Sequence, residues 1–430
     1  MNIKIRPAIA GLPLSPTLGA NQSAQAITGD GQPLLHMGFG QSPFPVHPRL
    51  AEALAAAATR NAYDDVAGLA ELRARAKTYF CARLGLDAEA YECVVAPGSK
   101  LILYALQMAI EGDLILPMPS WVSYAPQATM LGDRVHWLPA DLSDDGYHID
   151  ADRLETLILD LRSRGTNPTK LILNSPNNPT GLVIPAGDLG RIVDVCERYG
   201  IFLISDEIYA LTAFDGTRQS IAAHCAGTAA VTTGLSKHLS LGGWRVGFGL
   251  VPADQGSLLN SLNAIASETW SCVAAPIQEA ALLAVAGEDD IEDYIRRCTS
   301  IHAAVARVAA ERIANAHIDC PRAQGAFYLW PNFEPMRQRL IEKDILTSRQ
   351  LADALLKQKR VLALPGSAFG APPDCLALRL SVCDYKGAEA LAACAEPGVD
   401  PNHVADFAPR VLAAADAIAA FVIRFSQKSK

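Results

Sequence analysis

The sequence predicts an α/β fold, a layer built on a mostly parallel sheet, followed by a smaller α+β domain. Three observations lead there. Short apolar runs alternate with helical-period stretches through residues 93–250, the pattern of strands buried on both faces and joined by crossover helices. From residue 320 onwards the texture changes to strand-like runs set among fewer helices. The chain has 430 residues, 50% hydrophobic and 19% charged, enough apolar material for a large core in two domains.

Taken in order, residues 1–35 read as an extended arm with short elements, and His36–Pro45 as a compact glycine–proline segment. Gly40 can bring a backbone amide close to a ligand there, or serve a plain turn. Helices follow at 49–59 and 68–83, the second with Leu69, Leu72 and Tyr79 on its apolar face. Strands are expected at 93–96, 114–116, 135–138, 170–173, 201–204, 229–235 and 246–250. Helices separate several of them, at 101–110, 151–164 and 187–199, and two more at 273–286 and 291–314 lead out of the layer. Pattern alone does not place an antiparallel strand in this sheet. The last part offers strands at 325–330, 360–364 and 376–382 and helices at 346–358 and 404–425. The expected large domain covers 46–290, and the smaller one combines 1–45 with 291–430.

Composition removes several classes of function. Net charge is −8 without a long Lys/Arg run, which argues against nucleic acid as the main partner. No run reaches the roughly 18 apolar residues of a membrane span, and the N-terminus lacks the plan of a signal peptide; the expectation is a cytoplasmic protein with no membrane contact. Ten cysteines are dispersed with no CxxC pair, so neither structural zinc nor a disulfide framework is expected, and no metal.

The turns after the strands carry the chemistry, because ligands in open α/β sheets bind outside the carboxyl ends of strands. Gly98-Ser-Lys100 opens a helix whose free amides favour a phosphate, although a serine there is also a common cap. Asn174–Gly181 follows a strand and supplies the amide of Asn178, or is a proline-rich turn. Asp206 follows another strand, where an acid is usually a cap or a salt-bridge partner; Tyr209 lies three residues on. Lys237, between two strand candidates, is either a solvated head on a buried stem or an amine held to form a Schiff base. Together these weak signals meet the needs of one site: an amine, a carboxylate for a ring nitrogen, donors for a ring oxygen (Asn178, Tyr209) and a phosphate cradle (Gly98–Lys100, Arg245). Trp121 supplies an aromatic face, or packs in the core.

With SPNNPTG, SDEIY and GLSKHLSLGGWRVGF in that order, joined by YDDVAGLAELR, VVAPGSK, LPMPSWVSY, GAFYLW, VLALPGSAFG and LRLS, the chain resembles the class I/II aminotransferases of fold type I over residues 15 to 382. The resemblance implies a three-layer pyridoxal 5'-phosphate-binding domain and a ping-pong transfer of an amino group from an L-amino acid to a 2-oxo acid. It implies Lys237 as the Schiff-base lysine and proton shuttle, Asp206 as partner of the ring nitrogen, and Asn178 and Tyr209 on the ring oxygen. Gly98, Ser99, Lys100 through its amide, Ser236 and Arg245 match the phosphate cradle, and Trp121 the stacking aromatic. Tyr63, on its own a half-buried surface tyrosine, matches a residue reaching the phosphate of the neighbouring subunit, which implies a homodimer with shared sites. Gly40, Trp121, Asn178 and Arg379 match the substrate-binding set, with Arg379 clamping the carboxylate.

Two departures accompany the match. Gly234 stands where some relatives carry a serine, and the segment after Val382, to about residue 401, is longer than expected. Gln41, Phe44 and Tyr124 are candidate pocket liners, and the side chain of the donor is left open. The same cofactor constellation also serves lyases and decarboxylases, according to which substrate bond is held perpendicular to the ring plane. A catalytically silent pyridoxal-phosphate-binding regulator is the reading from another class; the retained Lys237 and the lack of an appended basic helix-turn-helix domain weigh against it.

Overall fold

A computed structural model of the chain describes residues 3–16, 33–216, 220–225, 228–394, 400 and 403–423. The expected N-terminal arm falls partly outside these residues, as does the long segment after Val382.

The N-terminal segment contributes a short strand, β1 (Leu35–His36), before the helices Pro48–Ala57 and Ala70–Leu84. The chain then enters the main layer through β2 (Tyr91–Ala96), β3 (Asp113–Met118) and β4 (Val135–Pro139). A hairpin of β5 (Asp141–Ser143) and β6 (Gly146–His148) precedes β7 (Pro168–Asn174), β8 (Phe202–Asp206), β9 (Ala229–Gly234) and β10 (Gly247–Pro252). Seven of these strands make one sheet in the order β2-β10-β9-β8-β7-β3-β4. β10 alone runs against both its neighbours, and the other pairs are parallel. The reversed strand therefore sits inside the sheet rather than at its edge.

Strand residues alternate between two cores, as a pleat with period two requires. Leu114, Leu116, Ile172, Ile204, Ala230 and Val251 pack with Ile102, Leu106 and Leu262 on one face. Ile115, Leu171, Leu173, Leu203, Val231 and Leu250 join the larger core on the other. Both faces are covered by helices, and the result is the expected three-layer α/β architecture.

Two helices absent from the expectation, Tyr124–Leu131 and Gly256–Thr269, help to cover the first face. Beyond them, Ala275–Ala284 and the 26-residue helix Asp289–Ala314 lead to small sheets. β11 (Tyr328–Leu329), β13 (Leu364–Pro365) and β14 (Leu378–Ser381) form an antiparallel sheet in the order β11-β14-β13. β12 (Val361–Leu362) instead pairs in parallel with β1, so the single strand expected at 360–364 divides between two sheets. The long helix expected at 404–425 is broken at Ala408 into Val404–Phe407 and Pro409–Ile423, because Pro409 has no amide hydrogen for a continuous ladder.

The reversed β10 positions the site. Gly247, its first residue, lies between Ala96 at the end of β2 and Gly234 at the end of β9. The turns that follow both parallel strands are thereby drawn to one place. A side chain at Gly247 would run into the backbone of Gly98 and the amide of Ser99. Only glycine permits that approach.

Candidate active site

At or near their carboxyl ends, three neighbouring strands carry polar residues in register. Asn174 of β7 lies opposite Asp206 of β8, and Asp206 opposite Thr232 of β9. Pleat parity turns all three towards the face that carries Tyr124. The Tyr124 hydroxyl donates to Asp206 Oδ2 at 2.6 Å and that of Thr232 to Oδ1 at 3.3 Å. Asn174 Nδ2 donates to the Asp206 carbonyl at 2.7 Å, and its Oδ1 accepts from the Asn178 amide at 2.7 Å. Asp206 is buried, and burial pushes its carboxyl up to about 6, with the Tyr124 hydroxyl the strongest influence in the opposite direction. The next residue, Glu207, points to the other face and takes hydrogen bonds from Ser205 and Ser220.

Lys237 occupies the connection between β9 and β10. Its amine donates to the Gly40 carbonyl at 3.0 Å and lies 5.5 Å from the ring centres of both Tyr209 and Phe327. Burial pulls this amine down to about 8. The solvated-head alternative fails: the ammonium points inward, to a backbone oxygen among aromatic rings. The Tyr209 hydroxyl shares a 2.7 Å hydrogen bond with that of Tyr328.

The helix Ser99–Ala109 starts against Gly247, the residue that ends the β9–β10 connection. Gly98 has φ +90°, a conformation natural to glycine, and a Cβ there would collide with the Arg245 guanidinium. Arg245 donates to the carbonyls of Gly242 at 3.0 Å and Pro97 at 3.3 Å. The first amides of the helix and an exposed guanidinium therefore face one hollow, which suits an anion. Ser236 precedes Lys237 in the same connection. Trp121, half-buried, lies 5.2 Å from the Tyr124 ring and carries the Lys100 ammonium 4.9 Å above its face.

On the opposite wall Arg379 of β14 is almost fully buried. It donates to Asn178 Oδ1 at 3.4 Å and to the Gly38 carbonyl, while its Nε lacks a protein partner. Its guanidinium carbon stands 4.8 Å from the Tyr328 ring centre and 5.1 Å from that of Phe369. Among the described residues no carboxylate touches this buried cation, an incomplete ion pair that a ligand carboxylate would complete.

Of the residues singled out in the sequence, Gly40, Gly98, Ser99, Lys100, Trp121, Asn178, Asp206, Tyr209, Ser236, Lys237, Arg245 and Arg379 gather in this crevice. Tyr63 does not; rather than half-buried, it is 92% exposed on the surface of the chain. Two pocket candidates are corrected. Phe44 packs edge-on against His302 at 5.0 Å and Tyr385 at 5.9 Å, as a large apolar ring beside a buried aromatic cluster should. Tyr124 is 1% exposed and spends its hydroxyl on Asp206. Gln41 is exposed. Sequence reasoning missed Asn174, Thr232, Tyr328 and Phe369. A polar residue closing an apolar strand, as in LILN, was the available signal for Asn174.

Fold and crevice define a ligand-binding α/β protein whose site lies at the carboxyl edge of its parallel strands. Residues 32–395 match the family model described as aminotransferase class I and II; the chain belongs to that family and is an aminotransferase. The aspartate aminotransferase of Geobacillus stearothermophilus is 29% identical over 382 residues, covering 86% of this chain and 93% of that protein. The asparagine–oxo-acid transaminase of Streptococcus mutans is 29% identical over 372 residues, covering 84% and 90%. The solved aspartate aminotransferase of Rhizobium meliloti superposes with a TM-score of 0.82 at 24% identity, over 98% of this chain and 100% of that one. Among the described residues no helix is long and apolar enough to cross a membrane.

Proposed function

We propose that this aminotransferase works with pyridoxal 5'-phosphate attached at Lys237, takes its amino group from an acidic L-amino acid, and acts as a homodimer with shared sites. The observation that carries the reading is the convergence on one crevice of the Lys237 amine, the buried Asp206 carboxylate, the Tyr209 phenol, the Ser99 helix start and the Arg379 guanidinium. The residues present fit the group. Asp206 is a buried acid held by hydroxyls and a backbone amide, with no cation in direct contact among the described residues, an environment suited to a ring N–H⁺. The side-chain-free approach at Gly98 and Gly247 leaves a cradle for a phosphate.

Pyridoxal phosphate supplies an electrophilic aldehyde and a ring that accepts an electron pair. The protein supplies everything else. Lys237, its amine pulled down to about 8 by burial, is uncharged often enough near neutral pH to take a proton from the substrate Cα and return it. Asp206 stays ionised above about pH 6 and keeps the ring nitrogen protonated. Asn178 and Tyr209 hold the ring oxygen. Arg379 grips the substrate α-carboxylate with its planar fork, and Trp121 and the crevice walls exclude water from one face. A lyase reading gains no observation of its own.

The relatives named aspartate aminotransferase support an acidic donor, and so does the Lys100 ammonium over Trp121, which pairs with no carboxylate among the described residues. The 92% exposed Tyr63 ring supports a neighbouring subunit that uses it. A half-reaction screen tests the reading. Cofactor-loaded protein should be converted to its amino form by aspartate or glutamate at rates at least about tenfold above those with leucine or phenylalanine, one such factor being ~1.4 kcal/mol of transition-state binding. Equal or faster conversion by the apolar donors overturns the acidic assignment.

A further inference from the structure

We infer that Tyr328 is a positioning residue that relays a hydrogen bond through Tyr209 to the cofactor's ring oxygen. The inference deepens the reading above and rests on it.

Tyr328 is almost fully buried and touches three parts of the site. Its hydroxyl lies 2.7 Å from that of Tyr209. Its ring forms the floor under Arg379 at 4.8 Å. Its edge also excludes any side chain at Gly40, where a Cβ would come within 2.7 Å of the ring's Cε1 and 2.8 Å of its Cζ. The placement follows from register: Tyr328 of β11 sits opposite Ser381 of β14, and Arg379, two residues earlier, shares its face.

Counting protons gives the hydroxyl its role. Two phenols that share one hydrogen bond use one O–H hydrogen and leave the other to donate elsewhere. If Tyr328 donates to Tyr209, the hydrogen left over belongs to Tyr209, which the proposed function already assigns to the ring oxygen. Donation in series polarises the terminal O–H and makes it a stronger donor, particularly in a dry site. The ring of Tyr328 serves Arg379 separately through cation–π contact. One residue thus adjusts the electronics of the cofactor with its hydroxyl and the seat of the carboxylate clamp with its ring.

The test is a pH titration of the absorbance of protein loaded with pyridoxal phosphate, in Tyr209→Phe, Tyr328→Phe and the double variant. A donor to the ring oxygen stabilises its negative charge most when no proton on the adjacent nitrogen shares it. Losing that donor therefore raises the spectral midpoint. Tyr209→Phe should raise it most. Tyr328→Phe should raise it by about 0.1–0.7 of a pH unit, from the roughly 10–30% that a neighbouring bond adds to a charge-assisted one. The double variant should move no further than Tyr209→Phe, because the relay needs both phenols. With its ring retained, Tyr328→Phe should bind the unreactive dicarboxylate maleate within about twofold of the parent. An unmoved midpoint in Tyr328→Phe beside a clear shift in Tyr209→Phe overturns the relay. So does a shift of equal size in the Tyr209→Phe background, which a mere loosening of the site would produce. An unmoved midpoint in Tyr209→Phe instead overturns the role assigned to Tyr209, on which the relay stands.

Discussion

Replacing Asp206 with asparagine should make the cofactor-free protein more stable at neutral pH while removing its activity. Burial raises this carboxyl from the ordinary aspartate range to about 6, a rise of about two units, or ~3 kcal/mol. A carboxyl with a higher pKa in the fold than in the unfolded chain binds its proton more tightly when folded. Its contribution to stability is complete below about pH 4 and is lost as pH rises through 6. Asparagine has no proton to lose and nearly the same shape, and one end of its amide can still accept from Tyr124. Its amino end meets the Ile208 amide or the Thr232 hydroxyl less well, which costs about 1 kcal/mol at every pH. The stability difference, variant minus parent, should therefore grow by about 2–3 kcal/mol between pH 4 and 7 and then level off. The neighbouring buried acid Glu207, also raised, to about 7, titrates in both proteins and largely cancels. Urea unfolding of both cofactor-free proteins, at matched ionic strength across that range, measures the difference. Turnover of the loaded variant should fall by at least about a hundredfold, as when a preorganised charge is removed from a developing one. A stability difference that stays flat with pH refutes the claim that Asp206 is held ionised at a cost.

Three more outcomes follow from the same geometry. Arg379→Lys loses the planar fork and should raise KM for amino donors and 2-oxo acids by about ten- to a hundredfold, in steady-state assays with two donors; an unchanged kcat/KM for both counts against the clamp. Gly247→Ala pushes against Gly98 and the Ser99 amide and should weaken inorganic phosphate and pyridoxal phosphate together, measured by calorimetry on cofactor-free protein, and a loss confined to one of them would separate the cradle from the site. Lys237→Ala and Tyr63→Phe subunits, each feeble alone, should on mixing and reassociation recover about one quarter of parental activity, the share of intact sites in a random population of dimers. No recovery in subunits shown to exchange speaks against a site completed by the partner.

Much of the fold was legible because the strands β3, β7, β8 and β9 are short apolar runs between turn formers, and buried parallel strands have no other way to look. The helix Gly256–Thr269 was not. It opens Gly-Ser-Leu-Leu-Asn-Ser-Leu-Asn, rich in residues of modest helix propensity, and only Leu262 and Ala266 are buried along it; packing on the sheet overrides local preference. The reversal of β10 was equally hidden. The stretch from Leu235 to Val246 is long enough for a crossover or for a wide hairpin, and nothing local selects between them. In the site, Lys237, Asp206 and Arg379 were marked by ordered motifs. Tyr328 was not distinguished from an ordinary strand aromatic, because its importance comes from β11 lying across β14, a pairing between residues far apart in the chain. The orientation of Tyr124, a candidate pocket liner in the sequence, is not legible there. The turn of the helix at Tyr124 buries the ring and directs the hydroxyl to Asp206.

Everything proposed for the site depends on the amine of Lys237 carrying the cofactor. Loading the protein with pyridoxal phosphate, reducing it with borohydride and mapping its peptides by mass spectrometry tests that directly. One pyridoxyl group per chain is expected, on the peptide containing Lys237, and none on that site in Lys237→Ala. A modification found instead on Lys100, or on no single lysine, contradicts it.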